Sequence, residues 1–125
     1  MRYRETDRIE RPYPEDVHLW KALDSLGVEY EKFGALRNTG DMRYSQWNVP
    51  ALVKTKWGEA VIIYRQRYYI KANKKVNGLS KRTREILKER DRYIMENKIP
   101  CLEVDRTWTT DEMAVRIRRW LSKID

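Results

Sequence analysis

Apolar positions along the chain change period several times, and each change marks an element. Val17, Trp20, Leu23 and Leu26 recur at every third position, the spacing of one helix face. Pro14 suits a first helical turn, Glu15 and Asp16 suit its positive end, and Gly27 is a natural stop. The pattern predicts a helix over residues 14–26. Residues 28–36 half alternate and predict a strand with a weak point at Gly34. Asn38-Thr39-Gly40-Asp41 reads as a turn, residues 42–47 as a further strand, and Pro50 holds Val49 extended.

Residues 48–69 read NVPALVKTKWGEAVIIYRQRYY. Two apolar runs flank a polar turn centred on Trp57-Gly58-Glu59, which predicts a β-hairpin with strands at 52–56 and 60–69. The run AVII is apolar without alternation, as expected of a central strand covered on both faces. Residues 71–80, KANKKVNGLS, break every pattern and read as a loop. Ser80 then caps a helix over 81–97 with Ile86, Leu87, Tyr93 and Ile94 on one stripe. A short buried strand follows at 99–104. Thr109 and Glu112 have capping-box spacing and open a last helix that turns Met113, Ile117, Trp120, Leu121 and Ile124 inward. The order is helix, several strands, helix, strand, helix, without repeats or a linker. It predicts one α/β domain with a mixed sheet over 14–125, preceded by a charged arm over 1–13.

Composition narrows the chemistry. A chain of 125 residues with 41% hydrophobic content and five tryptophans can bury a core. One cysteine, Cys101, and one histidine, His18, exclude an intrachain disulfide and argue against Cys/His zinc chemistry. Cys101 sits in an apolar strand and reads as an inert core thiol, and His18 has no nucleophile partner in view. No apolar run reaches membrane-spanning length and the first residues lack a signal-peptide core, which points to the cytoplasm and away from membranes. The glycines are isolated, so no phosphate-cradling loop is formed.

Charge changes the picture most. The formal net charge is +8, which makes a polyanion, and first of all nucleic acid, the expected partner. Between residues 65 and 84 lie eight cations, Arg65, Arg67, Lys71, Lys74, Lys75, Lys81, Arg82 and Arg84, and no acid. Tyr68 and Tyr69 stand among them and offer stacking surfaces. Arg2, Arg4, Arg8 and Arg11 give the arm further contacts. A second group, Arg116, Arg118, Arg119 and Lys123, decorates the last helix, where cations also favour the helix dipole.

The runs PALV and AVII, an aromatic-rich interruption, the helix-to-strand segment KRTREILKERDRYIMENKIPCLEV and a final helix together resemble the PD-(D/E)XK nuclease superfamily. The nearest branch is that of the very-short-patch repair and phage homing endonucleases, over about residues 14–124. The resemblance implies a restriction-endonuclease-like fold and a DNA partner, double-stranded, in a phage or mobile-element setting. It also implies Mg²⁺-dependent cleavage, and here the chain departs from it. The family's metal-binding aspartate falls on Ala51, and its second-strand acid and lysine fall near Tyr64 and Gln66. The histidines of the repair branch would lie within residues 65–70. Alanine offers a divalent ion no oxygen and Gln66 offers no charge.

The expectation is a DNA-binding protein with a degraded catalytic centre and no cofactor. Two alternatives stay open. One is an active endonuclease or Holliday-junction resolvase using relocated acids such as Glu15, Asp41 and Glu59, or one whose acid at position 51 has been replaced. The other is a protein-interaction inhibitor. A homodimer stays open as well.

Overall fold

A computed structural model describes residues 12–36, 48–65, 68–71, 74–77 and 81–124, with side chains left undescribed at 68–71, 74–77, 82 and 83. The elements are α1 (Pro14–Ser25), β1 (Tyr30–Lys32), β2 (Ala51–Thr55), β3 (Gly58–Tyr64), β4 (Tyr68–Lys71), β5 (Lys74–Asn77), α2 (Lys81–Glu96), β6 (Cys101–Val104) and α3 (Thr110–Ile124). The main sheet has four strands in the order β1-β2-β3-β6. β1, β2 and β3 are antiparallel neighbours, whereas β6 returns parallel to β3. That return needs a long crossover, and α2 lies within it. The outcome is a single α/β domain with a mixed sheet, as the element order predicts.

The central strand is covered on both faces. Ala60, Ile62 and Tyr64 join Leu19, Trp20, Leu23, Met113 and Ile117 in a core that α1 and α3 share with the sheet. Val61 and Ile63 point the other way, to Leu36, Val49, Leu52 and to Ile94 of α2. The unbroken apolar run of β3 thus serves two cores through the period-two alternation of a strand.

Several expected boundaries shift for identifiable reasons. The buried stripe of α1 is Asp16, Leu19, Trp20 and Leu23, so Val17 is only half-buried. The first strand is confined to Tyr30–Lys32 because Phe33 adopts a left-handed φ of 50°. Its ring then meets Trp20 edge-on at 5.4 Å, and Ala35 forms only an isolated bridge to Asn48. The hairpin turn is tighter than predicted. Thr55 Oγ1 donates to the Gly58 carbonyl at 2.7 Å and accepts from the Trp57 N–H at 3.2 Å, while Gly58 takes the positive φ of 131°. β6 is an edge strand with Glu103 exposed and Val104 buried, so the expected burial of 99–104 holds only at its end.

Residues 71–80 are not wholly a loop. Lys74–Asn77 pairs antiparallel with Tyr68–Lys71 as a separate two-stranded sheet. Lys74–Asn77 has Val76 as its only apolar residue, which leaves no alternation to read. The expected turn at 38–41 and strand at 42–47 lie outside the described residues, as do Ser80 and residues 1–11 of the arm. No helix among the described residues is long and apolar enough to cross a membrane.

Gly34 is a weak point for a steric reason. A Cβ there would stand 2.5 Å from Leu52 Cβ. Gly34→Ala is expected to lower stability by about 1–3 kcal/mol through overpacking. Urea denaturation should show an earlier midpoint at an unchanged slope; an unshifted midpoint would contradict this packing.

Candidate nucleic-acid interface

The last pair of the parallel ladder is Tyr64 with Val104, and the Arg65 N–H continues it to the Val104 carbonyl at 2.9 Å. Both strands therefore end side by side, the usual place for a ligand-binding crevice in a sheet with parallel strands. From β6 the chain enters a turn that Asp105 holds together. Its Oδ1 accepts from the Thr107 N–H at 2.9 Å and hydroxyl at 2.7 Å, and the Trp108 N–H closes on the Asp105 carbonyl at 3.1 Å. Thr109 follows as the N-cap of α3, accepting from the Glu112 N–H at 3.2 Å, which confirms one half of the expected capping box. The other half differs, because the Glu112 carboxylate accepts from the Thr109 hydroxyl at 3.3 Å.

This turn and cap bring Arg106 and Arg116 to the end of the sheet where Arg65 follows β3. The Arg65 guanidinium lies 5.2 Å from the Trp108 ring centroid, and that of Arg116, on the second turn of α3, lies 5.4 Å from the same ring. Arg65 and Arg116 are exposed. Among the described residues, neither has a carboxylate within ion-pair distance. Stacking orders a guanidinium through its flat face and leaves its N–H edge open to a phosphate. Arg106 differs, lying over the Tyr64 ring at 5.2 Å with its Nε 3.9 Å from Glu15 Oε1.

Beneath these cations is a buried polar pair. Asp16 has 0% exposure; its Oδ1 accepts from the Tyr64 hydroxyl at 2.6 Å and its Oδ2 from the Tyr13 N–H at 3.2 Å. Tyr13, placed in the arm by the sequence, is in fact the N-cap of α1. His18 Nδ1 and Thr110 Oγ1 share a hydrogen bond at 3.0 Å that ties α1 to α3, so His18 has a structural partner.

The acids considered for a relocated metal site do not all meet. Glu15 faces Arg106 at the end of β3, whereas Glu59, near its start, lies 3.8 Å from Lys54. Five residues of strand, roughly 17 Å, separate Glu59 from Tyr64. Asp41 and Gln66 lie outside the described residues. Ala51 is fully buried opposite Ile62. Among the described residues the positions weighed for Mg²⁺ offer it little: Ala51 has no oxygen donor, both Asp16 oxygens accept hydrogen bonds, and Glu15 faces a cation. Among the described residues, no group of three or more His, Cys, Asp or Glu stands together as a metal-holding set. Cys101 offers no nucleophile, since burial first and the Asp91 carboxylate second push its thiol up to about 11.

Of the expected cationic segment, Arg65 is at this surface, while Arg67 lies outside the described residues. Tyr68, Tyr69 and Lys71 are on β4, Lys74 and Lys75 on β5, and Lys81, Arg82 and Arg84 in the first turn of α2. Lys81 and Arg84 are exposed. Trp108 and Arg106 were not singled out as functional by sequence reasoning, Asp16 was weighed only as an alternative to Glu15 for the metal-facing helical acid that the resemblance implies, and Arg116 was assigned to the helix dipole. A usable signal existed for Asp16, which stands at i, i+3, i+4, i+7 spacing with Leu19, Trp20 and Leu23. At the opposite end of the hairpin, a shallow cavity of about 310 Å³ lined by Gly27, Val28, Lys54, Thr55 and Leu121, among others, contains none of the expected site residues. No protein-family model, curated protein or solved structure matches this chain.

Tyr64→Phe removes the hydroxyl but keeps the ring, leaving Asp16 Oδ1 without that donor. The expected cost is about 1–3 kcal/mol, measured as a lower urea midpoint. Wild-type stability in this variant would show that the buried pair does not support α1 against β3.

Proposed function

We propose that this protein binds nucleic acid along the basic end of its sheet and occupies it without cutting. The observation that carries this reading is the Arg65–Trp108–Arg116 stack, which holds two exposed guanidiniums in place with no carboxylate to neutralise them among the described residues. Such an arrangement gains little for the fold, because exposed cation–π contacts contribute only about 0.5–1 kcal/mol each. It gains far more when a polyanion supplies the missing charge.

A second feature agrees. The first turn of α2 contains Lys81, Arg82 and Arg84 and no acid. Cations at the positive end of a helix dipole cost stability, while an anion there restores it. Phosphates that meet this turn and the arginine pair release condensed counterions, so affinity follows salt steeply.

The scaffold reading is a proposal of the same kind. The order of hairpin, long helix, parallel return strand and final helix supports kinship with PD-(D/E)XK nucleases, and Ala51 and the engaged Asp16 support a non-cleaving member. Occupancy without cleavage suits a regulator of a phage or mobile element.

Fluorescence anisotropy with a labelled 20-base-pair DNA duplex tests the reading. Binding should be measurable at low salt and fall with a steep log–log slope. Substituting both Arg65→Ala and Arg116→Ala should weaken it and reduce the slope by about 2, one per phosphate contact. Affinity indifferent to salt, or a double variant that binds as wild type, would overturn it. Supercoiled plasmid with Mg²⁺ should stay intact, and cleavage that disappears in Glu15→Ala would instead show a nuclease.

A further inference from the structure

α3 has a cationic flank. Arg116, Arg119 and Lys123 stand at i, i+3 and i+7, which on an α-helix places them within an arc of about 60° and over a length of about 10 Å. All three are exposed, and among the described residues none has a carboxylate within ion-pair distance. The opposite side of the helix buries Met113 and Ile117, with Trp120, Leu121 and Ile124 packed against the same core. Glu112 lies on the cationic flank one turn ahead of Arg116, its carboxylate accepting from the Thr109 hydroxyl, and no acid follows it in α3. Helix stability does not account for this pattern. The dipole acts within the last turn, which contains Lys123 but neither arginine, and like charges three and four residues apart repel. Arg116 also shares the Trp108 ring with Arg65, so the flank continues the exposed arginine pair along the helix.

A row of cations fits a row of phosphates. One strand of a duplex presents a phosphate about every 3.4 Å of axis, so the flank spans about three of them. The planar fork of arginine suits each phosphate. Single strands are held differently, by bases stacked on open aromatic rings. Beside this flank, Trp108 already stacks with two guanidiniums, and Trp120 is packed against the core. We infer that one strand of duplex DNA lays its phosphates along α3, from the Arg65–Arg116 pair past Arg119 to Lys123, and that the protein prefers duplex to single strand. The inference rests on the nucleic-acid reading above and gives the polyanion its form and its path.

Fluorescence anisotropy with a labelled 20-base-pair DNA, and with each of its strands alone, tests this. At low salt the duplex should bind at least tenfold more tightly than either strand. Arg119→Gln with Lys123→Gln should reduce the slope of log affinity against log salt for the duplex by about 2, one per phosphate contact. The control is Lys88→Gln with Arg92→Gln, which removes the same charge from exposed positions of α2, on the other face of the sheet. It should leave the slope within about 0.5 of wild type. An unchanged slope in the α3 variant, an equal loss in the α2 variant, or a single strand bound as tightly as the duplex would overturn the path along α3 and leave the Arg65–Arg116 contact standing. Absence of any duplex binding by the wild-type protein would overturn the nucleic-acid reading and this inference with it.

Discussion

The Tyr64 hydroxyl and the Asp16 carboxyl meet at 2.6 Å in a fully buried position, and the basic surface depends on that contact. A carboxyl group is costly to remove from water unless its oxygens find donors. Here the donors are the last residue of the central strand and the backbone just ahead of α1. The pair therefore specifies which turn of α1 faces which end of β3. With Tyr64 held, the next residue, Arg65, is placed at the end of the ladder, its N–H on the Val104 carbonyl. The same end receives Trp108 from the Asp105 turn and Arg116 from α3. A polar contact inside the core thus sets the position of charges outside it.

The two surfaces of this end of the sheet follow different electrostatic rules. Inside, the Trp20 indole N–H reaches the Pro50 carbonyl at 3.1 Å, and the Asp16 oxygens are both engaged. Outside, among the described residues, Arg65 and Arg116 share the Trp108 ring without a carboxylate within ion-pair distance, and Lys81 and Arg84 are exposed in the first turn of α2. Ordering like charges side by side opposes folding. The eight cations of residues 65–84, which include no acid, equal the formal net charge of +8.

Much of the fold was legible because helix caps and apolar periodicity are local. Pro14 and Gly27 bracket α1, the Thr109–Glu112 spacing marks the start of α3, and AVII identified the central strand. What stayed hidden depends on contacts between distant segments. Asp16 looked like a first-turn acid because its partner lies 48 residues away. Lys74–Asn77 looked like a loop because Lys-Lys-Val-Asn has no apolar alternation, while its partner strand is set by register. The density of cations over 65–84 is legible in the sequence, but only the fold shows that Arg116, from another element, shares Trp108 with Arg65. The set of Glu15, Asp41 and Glu59 was suggested by the helical acid that the resemblance implies and by nearness to the hairpin along the chain, and strand length separates two of its members.

Because the account places the DNA contact at one end of the sheet, mapping backbone amide shifts by NMR during titration with duplex DNA tests it most directly. The account predicts that the largest shifts fall at Arg65, Trp108, Arg116 and Arg119. Largest shifts instead at the opposite end of the hairpin, around Gly27, Lys54 and the exposed Trp57, would contradict it.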